Sequence, residues 1–200
     1  MRKTVAICRY GAGNVRSVEL ALRRLGAELT DDVEGADLAV LPGVGSARTA
    51  MEGLRGRGLD DVLRARTKPI LGICLGLQLA LEESEEDGGV PGLGIVPGRA
   101  VRLRDGRIPR IGWAQVERLA GSAGGKAADA RPADRIAVGD RGGDAFWFAH
   151  SYVAESPAVT ATSEGLAAVV EHGAFTGVQF HPEKSGPAGA RFLERCLSRA

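Results

Sequence analysis

The chain has 200 residues, of which 44% are hydrophobic and 26% charged, and its formal net charge is +1. That length suits a single globular domain over residues 1–200, with a core large enough to need no staples. The near-neutral balance excludes a strong field for nucleic acid or an anionic membrane surface, and no apolar run reaches membrane length.

Three cysteines, at 8, 74 and 196, give no disulfide framework, and no C-x-x-C or H-x-x-x-H spacing suggests zinc. The expectation is therefore no metal and no cofactor. The apolar stretch before Arg9 is too short for a signal peptide, which makes a cytoplasmic, reducing location the default. Gly, at 29 residues, is about double its average usage, as many tight turns beside a sheet require.

Thr4 to Cys8 (TVAIC) predicts a first strand, followed by the loop Tyr10-Gly11-Ala12-Gly13-Asn14. Val15, Val18, Leu22 and Leu25 then recur at helical spacing, with Gly26 as the stop. G-A-G-N lacks the third glycine of a dinucleotide fingerprint and reads as a turn. A short strand is expected near Ala27–Leu29 and another over Asp37–Leu41, ahead of Pro42-Gly43-Val44-Gly45-Ser46. Residues 47–66 predict one or two helices broken around Gly56 and Gly58. Pro69-Ile70-Leu71 is a buried-strand run, and Leu75 through Leu81 carries helical spacing again.

Between that strand and helix stands Gly72-Ile73-Cys74-Leu75-Gly76, a G-x-C-x-G elbow with a cysteine at its tip. Free cysteine is usually a small buried hydrophobe. At an elbow, the positive end of the helix favours thiolate over thiol. Alternating strands and helices up to Gln78 predict an α/β fold with a mostly parallel central sheet in a three-layer domain. Sites in such sheets form outside the carboxyl ends of the strands, so the three Gly-rich loops gather on one edge. PGVGS is then either a plain turn or a source of oxyanion-binding amides.

The acidic run Glu82-Glu83-Ser84-Glu85-Glu86-Asp87 reads as the solvated end of a helix and a loop. Residues 92–101 and 107–116 predict antiparallel strands, and 121–144 a variable surface excursion. Ala145–Val153, Val159–Thr162, Leu166–Glu171 and Phe175–Phe180 continue as strands, the last two a hairpin turning at His172-Gly173. Ser185-Gly186-Pro187 introduces the final helix.

The chain has three histidines. His172 is placed at a hairpin tip, and His150 ends the FWFA run as a strand-end or interface residue. His181 stands in H-P-E, where Pro182 keeps the chain extended and sets Glu183 on the same side as His181. By itself the pair is as well explained as a strand end. With the elbow, Cys74, His181 and Glu183 supply nucleophile, base and orienter for acyl transfer.

GICLGLQ followed by HPE resembles the class I glutamine amidotransferases, which have a flavodoxin-like fold with antiparallel C-terminal strands. YGAGNVRSV, LPGVGSA, GLGIVPG, IPRIGWAQV, FAHSYVA and GVQFHPEKSG narrow the resemblance to the glutaminase subunits of imidazole glycerol phosphate synthase, of histidine biosynthesis. It covers the chain apart from roughly residues 119–144. The resemblance implies that Cys74 attacks the carboxamide of glutamine with help from His181 and Glu183, releasing ammonia and then glutamate. It implies an oxyanion hole from Gly43, Val44, Gly45 and the Leu75 amide, and glutamine contacts from Gln78, Ser151 and Tyr152. It also implies a heterodimer with a (β/α)₈ cyclase, faced by Tyr10, Asn14, Arg110, Trp113, Trp147 and Lys184, which turns the ammonia and a ribonucleotide into imidazole glycerol phosphate and aminoimidazole carboxamide ribotide. The PGVG strand is expected to be unproductive in the isolated chain and corrected on binding.

Arg9 stands where this family usually has aspartate, and Ala114 where it usually has asparagine, which bears on the partner contacts rather than the triad. The competing readings are a glutaminase for another synthase (pyridoxal phosphate or anthranilate), a γ-glutamyl hydrolase, and a non-catalytic binding module. The intact triad residues argue against the last.

Overall fold

Successive strand residues face opposite sides of a sheet, and this chain uses that alternation to build two cores. The computed structural model describes residues 2–11, 15–119 and 144–200. Its first half follows the predicted alternation: β1 (Thr4–Ile7), α1 (Val15–Arg24), β2 (Glu28–Thr30), β3 (Leu38–Leu41), α2 (Ala47–Arg55), α3 (Leu59–Ala65), β4 (Ile70–Ile73) and α4 (Leu75–Ala80). Strands β2-β1-β3-β4 lie side by side and parallel. Gly26 (φ 83) follows α1 where the helix stop was expected, and α2 and α3 part around Gly56 and Gly58.

Val5, Ile7, Leu71 and Ile73 meet α1 through Val18 and Leu22 on one face. Ala6, Ala39, Leu41 and Ile70 meet Met51, Leu54, Leu63 and Leu77 from α2, α3 and α4 on the other. The final helix α5 (Gly186–Arg199) joins the first face through Phe192, Leu193 and Cys196. The result is the three-layer α/β arrangement read from the sequence. Each fully buried Leu or Phe side chain contributes roughly 2 kcal/mol through the area it removes from water.

The second half supplies β5 (Glu83–Ser84), β6 (Val90–Pro91), β7 (Arg99–Arg102), β8 (Arg110–Gln115), β9 (Glu117–Arg118), β10 (Ala145–His150), β11 (Tyr152–Glu155), β12 (Val159–Ser163), β13 (Leu166–His172) and β14 (Phe175–Val178). Strand β14 is antiparallel to β13 but parallel to β4, so it enters the main sheet beside the elbow strand. Beyond it β13, β12 and β9 extend the sheet antiparallel.

Several local expectations shift. The 145–153 run is two strands in two different sheets: β10 pairs with β8, whereas β11 pairs with β7, and the chain bends at Ser151 between them. The last hairpin turns one residue later than expected, because His172 still pairs with Phe175. The 92–101 run is strand only from Arg99, where β7 begins and continues to Arg102. The acidic run is not a solvated helix end: it forms β5 and a 3-10 turn over Glu86–Gly88. There the Glu86 carboxylate accepts from the Ala47 amide at 2.8 Å, which caps α2 and draws the residue inward. The excursion at 121–144 falls outside the described residues apart from Asp144, which accepts from Arg191 at 2.6 Å.

Candidate active site

The elbow is strained. Cys74 has φ 52 and ψ −105, a left-handed backbone that costs a residue with a side chain on the order of 1–3 kcal/mol. The strain is held because both ends are fixed: the Cys74 amide donates to Val178 of β14 at 2.7 Å, and α4 starts at once. A Cβ on Gly76 would lie 1.8 Å from the Leu41 carbonyl oxygen, so only glycine lets α4 begin this close to β3. The Cys74 thiol is thereby lifted to the carboxyl edge of the sheet beside the first-turn amides of α4, which have no partner one turn earlier in their own helix.

Strand β14, lying next to β4, delivers the base to the same edge. The His181 amide donates to the Trp147 carbonyl at 2.8 Å, and the following 3-10 turn, Pro182–Lys184, folds Glu183 back under the ring. His181 Nδ1 donates to Glu183 Oε1 at 2.9 Å, with side chains only 3% and 2% exposed. This leaves Nε2 for the Cys74 sulfur. Burial alone would lower the His181 pKa, but the Cys74 sulfur and the Glu183 carboxylate outweigh it and push the pKa up to about 9. Ser185 locks the turn, its hydroxyl donating to the His181 carbonyl at 2.6 Å and accepting from the Trp147 amide at 2.9 Å.

His150 is a contrast. Its Nδ1 donates to the Tyr152 carbonyl at 2.9 Å, and burial, with the Arg110 and His181 charges, pushes its pKa down to about 4. It is therefore a neutral ring near neutral pH. Of the three histidines only His181 has a carboxylate behind it and the sulfur in front.

Two buried glutamines complete the floor. Gln179 Nε2 donates to Cys74 Sγ at 3.6 Å, and Gln78 Nε2 donates both to Gln179 Oε1 at 3.2 Å and to the Tyr152 carbonyl at 3.0 Å. The expected substrate contact Gln78 is thus 5% exposed and spends its amide on holding α4 to β11 and β14. Gln179 was not singled out from the sequence. The available signal was one amide inside an otherwise apolar strand end, two residues before His181.

Cys74 opens into a cleft also lined by Val44, Gly45, Leu75, Gln78, Ser151, Tyr152 and Glu86. Val44 and Gly45 are exposed on it, whereas Gly43 is buried. Glu86 is the other residue the sequence reading missed: its run of acidic neighbours made it look solvated. Partial burial raises its pKa above the ordinary carboxylate value.

The residues expected to face a partner divide. Trp113 is 56% exposed and Ile111 59%, and the Trp113 ring stands edge-on to Trp147 at 5.9 Å, while Lys184 is also exposed. Tyr10 and Arg110 turn inward instead. Tyr10 is 3% exposed, with its hydroxyl donating to the Pro42 carbonyl. The Arg110 side chain is 14% exposed, lies 4.3 Å over the Phe148 ring and donates to Ser163 at 2.8 Å and Glu164 at 3.0 Å. Stacking of its guanidinium on an aromatic face, with the Ser163 hydroxyl and Glu164 carboxylate as acceptors, explains that inward course. Asn14 lies outside the described residues. The two departures are locally accommodated: Arg9 pairs with Glu19, and Ala114 packs half-buried opposite Phe146.

Residues 6–200 match the class-I glutamine amidotransferase family. The imidazole glycerol phosphate synthase subunit HisH of Symbiobacterium thermophilum is 43% identical, covering 94% of this chain and 91% of that protein. The HisH of Methanothermobacter thermautotrophicus is 41% identical, covering 94% and 95%. A crystal structure described as a glutamine amidotransferase shares the fold, with a TM-score of 0.71 and 22% identity over 96% of this chain and 98% of that one. Elbow, paired histidine and sequence likeness converge, and the chain belongs to the class-I glutamine amidotransferases, among the HisH subunits of imidazole glycerol phosphate synthase.

Proposed function

We propose that residues 1–200 form one glutaminase domain that hydrolyses glutamine and hands the ammonia to a cyclase subunit of imidazole glycerol phosphate synthase. The observation that carries the chemistry is the buried His181–Glu183 pair beside a nucleophile held at a strained elbow. Cys74 gives its proton to His181 and attacks the carboxamide carbon. The oxyanion is met by the Leu75 amide and by an amide of the Gly43–Val44–Gly45 strand. His181, as imidazolium, returns the proton to the departing nitrogen, and ammonia leaves a γ-glutamyl thioester. Water, deprotonated by His181, then attacks the thioester, and glutamate is released as the thiol re-forms. Glu183 fixes the tautomer throughout.

Glu86 supplies a carboxylate to the same cleft as Cys74, suited to the α-ammonium of glutamine. Ser151, Tyr152 and Gln78 line the cleft with it, and the Gln78 amide nitrogen also holds the Tyr152 carbonyl. The partner docks on the exposed aromatic face of β8 and β10, through Trp113 and Trp147, with Lys184 beside it. An apolar, aromatic patch of this kind marks a protein interface. Histidine biosynthesis in the cytoplasm, as a heterodimer, is part of the same proposal. Among the described residues no helix is long and apolar enough to cross a membrane.

The test is glutamate release from glutamine, measured alone and with a cyclase subunit plus its ribonucleotide ligand. Stimulation of at least about 10²-fold is expected, the worth of one oxyanion donor brought into place. Equal rates with and without cyclase would favour a stand-alone γ-glutamyl hydrolase.

A further inference from the structure

Tyr10 is a buried hydroxyl that the reaction above leaves unused. Its ring is sealed in the core at 3% exposure, near the start of the loop that leaves β1. Its hydroxyl donates to the carbonyl of Pro42, the first residue of the PGVG strand. The side chain also has no room to move. A Cβ on Gly43 would lie 2.7 Å from the Tyr10 hydroxyl and 2.8 Å from Leu75 Cβ, so Tyr10 and the elbow helix both crowd the side of the strand where that Cβ would point. On the far side, a Cβ on Gly53 of α2 would lie 2.1 Å from the Tyr10 carbonyl oxygen. One residue is therefore seated against both the start of the strand and the helix that follows it.

We propose that Tyr10 is a positioning residue for catalysis: its hydroxyl anchors the Pro42 peptide, and the Gly43–Val44 peptide takes up its oxyanion-binding orientation against that anchor. This rests on the glutaminase reading above. A trans peptide points its C=O and N–H in opposite directions, so holding the Pro42 carbonyl toward Tyr10 aims the Gly43 N–H away from it. With that plane fixed, the strand's remaining freedom lies at Gly43, where no Cβ hinders rotation. Burial, with the Cys8 and Cys74 thiols nearby, holds the phenol's pKa above its ordinary value, so the hydroxyl remains a donor across the working pH range.

Tyr10→Phe keeps the ring and deletes the anchor. In the complex with the cyclase and its ribonucleotide, kcat for glutamate release should fall about tenfold, the worth of one hydrogen bond felt in the transition state. KM for glutamine should stay within about twofold, because the oxyanion forms only after binding. The rate of Cys74 alkylation by iodoacetamide, which forms no oxyanion, should be unchanged, as should the thermal midpoint to within a few degrees. An unchanged kcat overturns the inference, and so does a kcat loss matched by slower alkylation or a collapse of the thermal midpoint. A wild-type complex that releases no glutamate overturns the glutaminase reading and this inference together, whereas normal wild-type release with an equally active Tyr10→Phe overturns this inference alone.

Discussion

Replacing Cys74 with alanine in the assembled synthase is expected to lower glutamate release by at least about 10⁴-fold, while synthesis driven by added ammonium salts stays within about twofold. The first number follows from what a covalent nucleophile supplies. Without sulfur there is no thioester, and what remains is water attack assisted only by the oxyanion donors and binding. The second follows from position. Cys74 is 6% exposed at the tip of the elbow, and an alanine in its place removes one atom without touching the exposed Trp113–Trp147 face. The assay compares glutamate formed from glutamine with imidazole glycerol phosphate formed from ammonium. A variant that still hydrolyses glutamine would place the nucleophile elsewhere. One that also loses the ammonium-driven reaction would show that Cys74 holds the partner interface and not only the chemistry.

Glu183→Gln should lower kcat on the order of 10²- to 10⁴-fold, by either of two routes. If the new amide nitrogen meets His181 Nδ1, the ring is forced into the wrong tautomer. If the amide oxygen meets it, the NH₂ is buried at a position where Glu183 Oε2 has no hydrogen-bond partner among the described residues. The same variant should change stability with a definite sign. The folded His181 pKa, about 9, lies above the ordinary 6.5, so the folded state binds this proton more tightly than the unfolded chain. That contribution is fully present below about pH 6.5 and is lost as pH rises through about 9. Urea unfolding at pH 6.5 and pH 9.5 should show wild type losing more stability across the interval than Glu183→Gln, which lacks one of the two groups that raise the pKa. An identical loss in both proteins would contradict the charge assignment.

The reactive half of the site was legible because its signals are local. An elbow needs glycine, a nucleophile and glycine within five residues, and H-P-E places base and carboxylate two residues apart, although Pro182–Lys184 folds as a 3-10 turn rather than the extended segment expected. The parallel half of the sheet was legible for a similar reason, since β1, β3 and β4 each announce themselves as short β-branched or apolar runs between helical spacings. What failed was decided by tertiary contacts. Glu86 looks solvated among its acidic neighbours, yet the unpaired Ala47 amide at the start of α2 captures it. Arg110 occupies an alternating strand beside two exposed apolar residues, and only the opposing strand reveals Phe148 as the face on which it lies. Gln78 reads as a substrate contact from its place in the elbow helix and does line the cleft, but the sequence does not show that its amide nitrogen is also held by Gln179 and Tyr152, residues about 100 and 74 positions away. The break at Ser151 has no Pro or Gly to mark it. It exists because β8 and β7 belong to different sheets and each claims one half of the run.

The measurement that tests the account most directly follows the amide nitrogen of glutamine. The wild-type chain, its cyclase and the ribonucleotide would be supplied with amide-¹⁵N glutamine in a buffer holding excess unlabelled ammonium. ¹⁵N should enter imidazole glycerol phosphate in near one-to-one ratio with glutamate released, little diluted by the buffer, and Cys74→Ala should abolish the transfer. Label recovered as free ammonium, with product carrying the buffer's nitrogen, would contradict it.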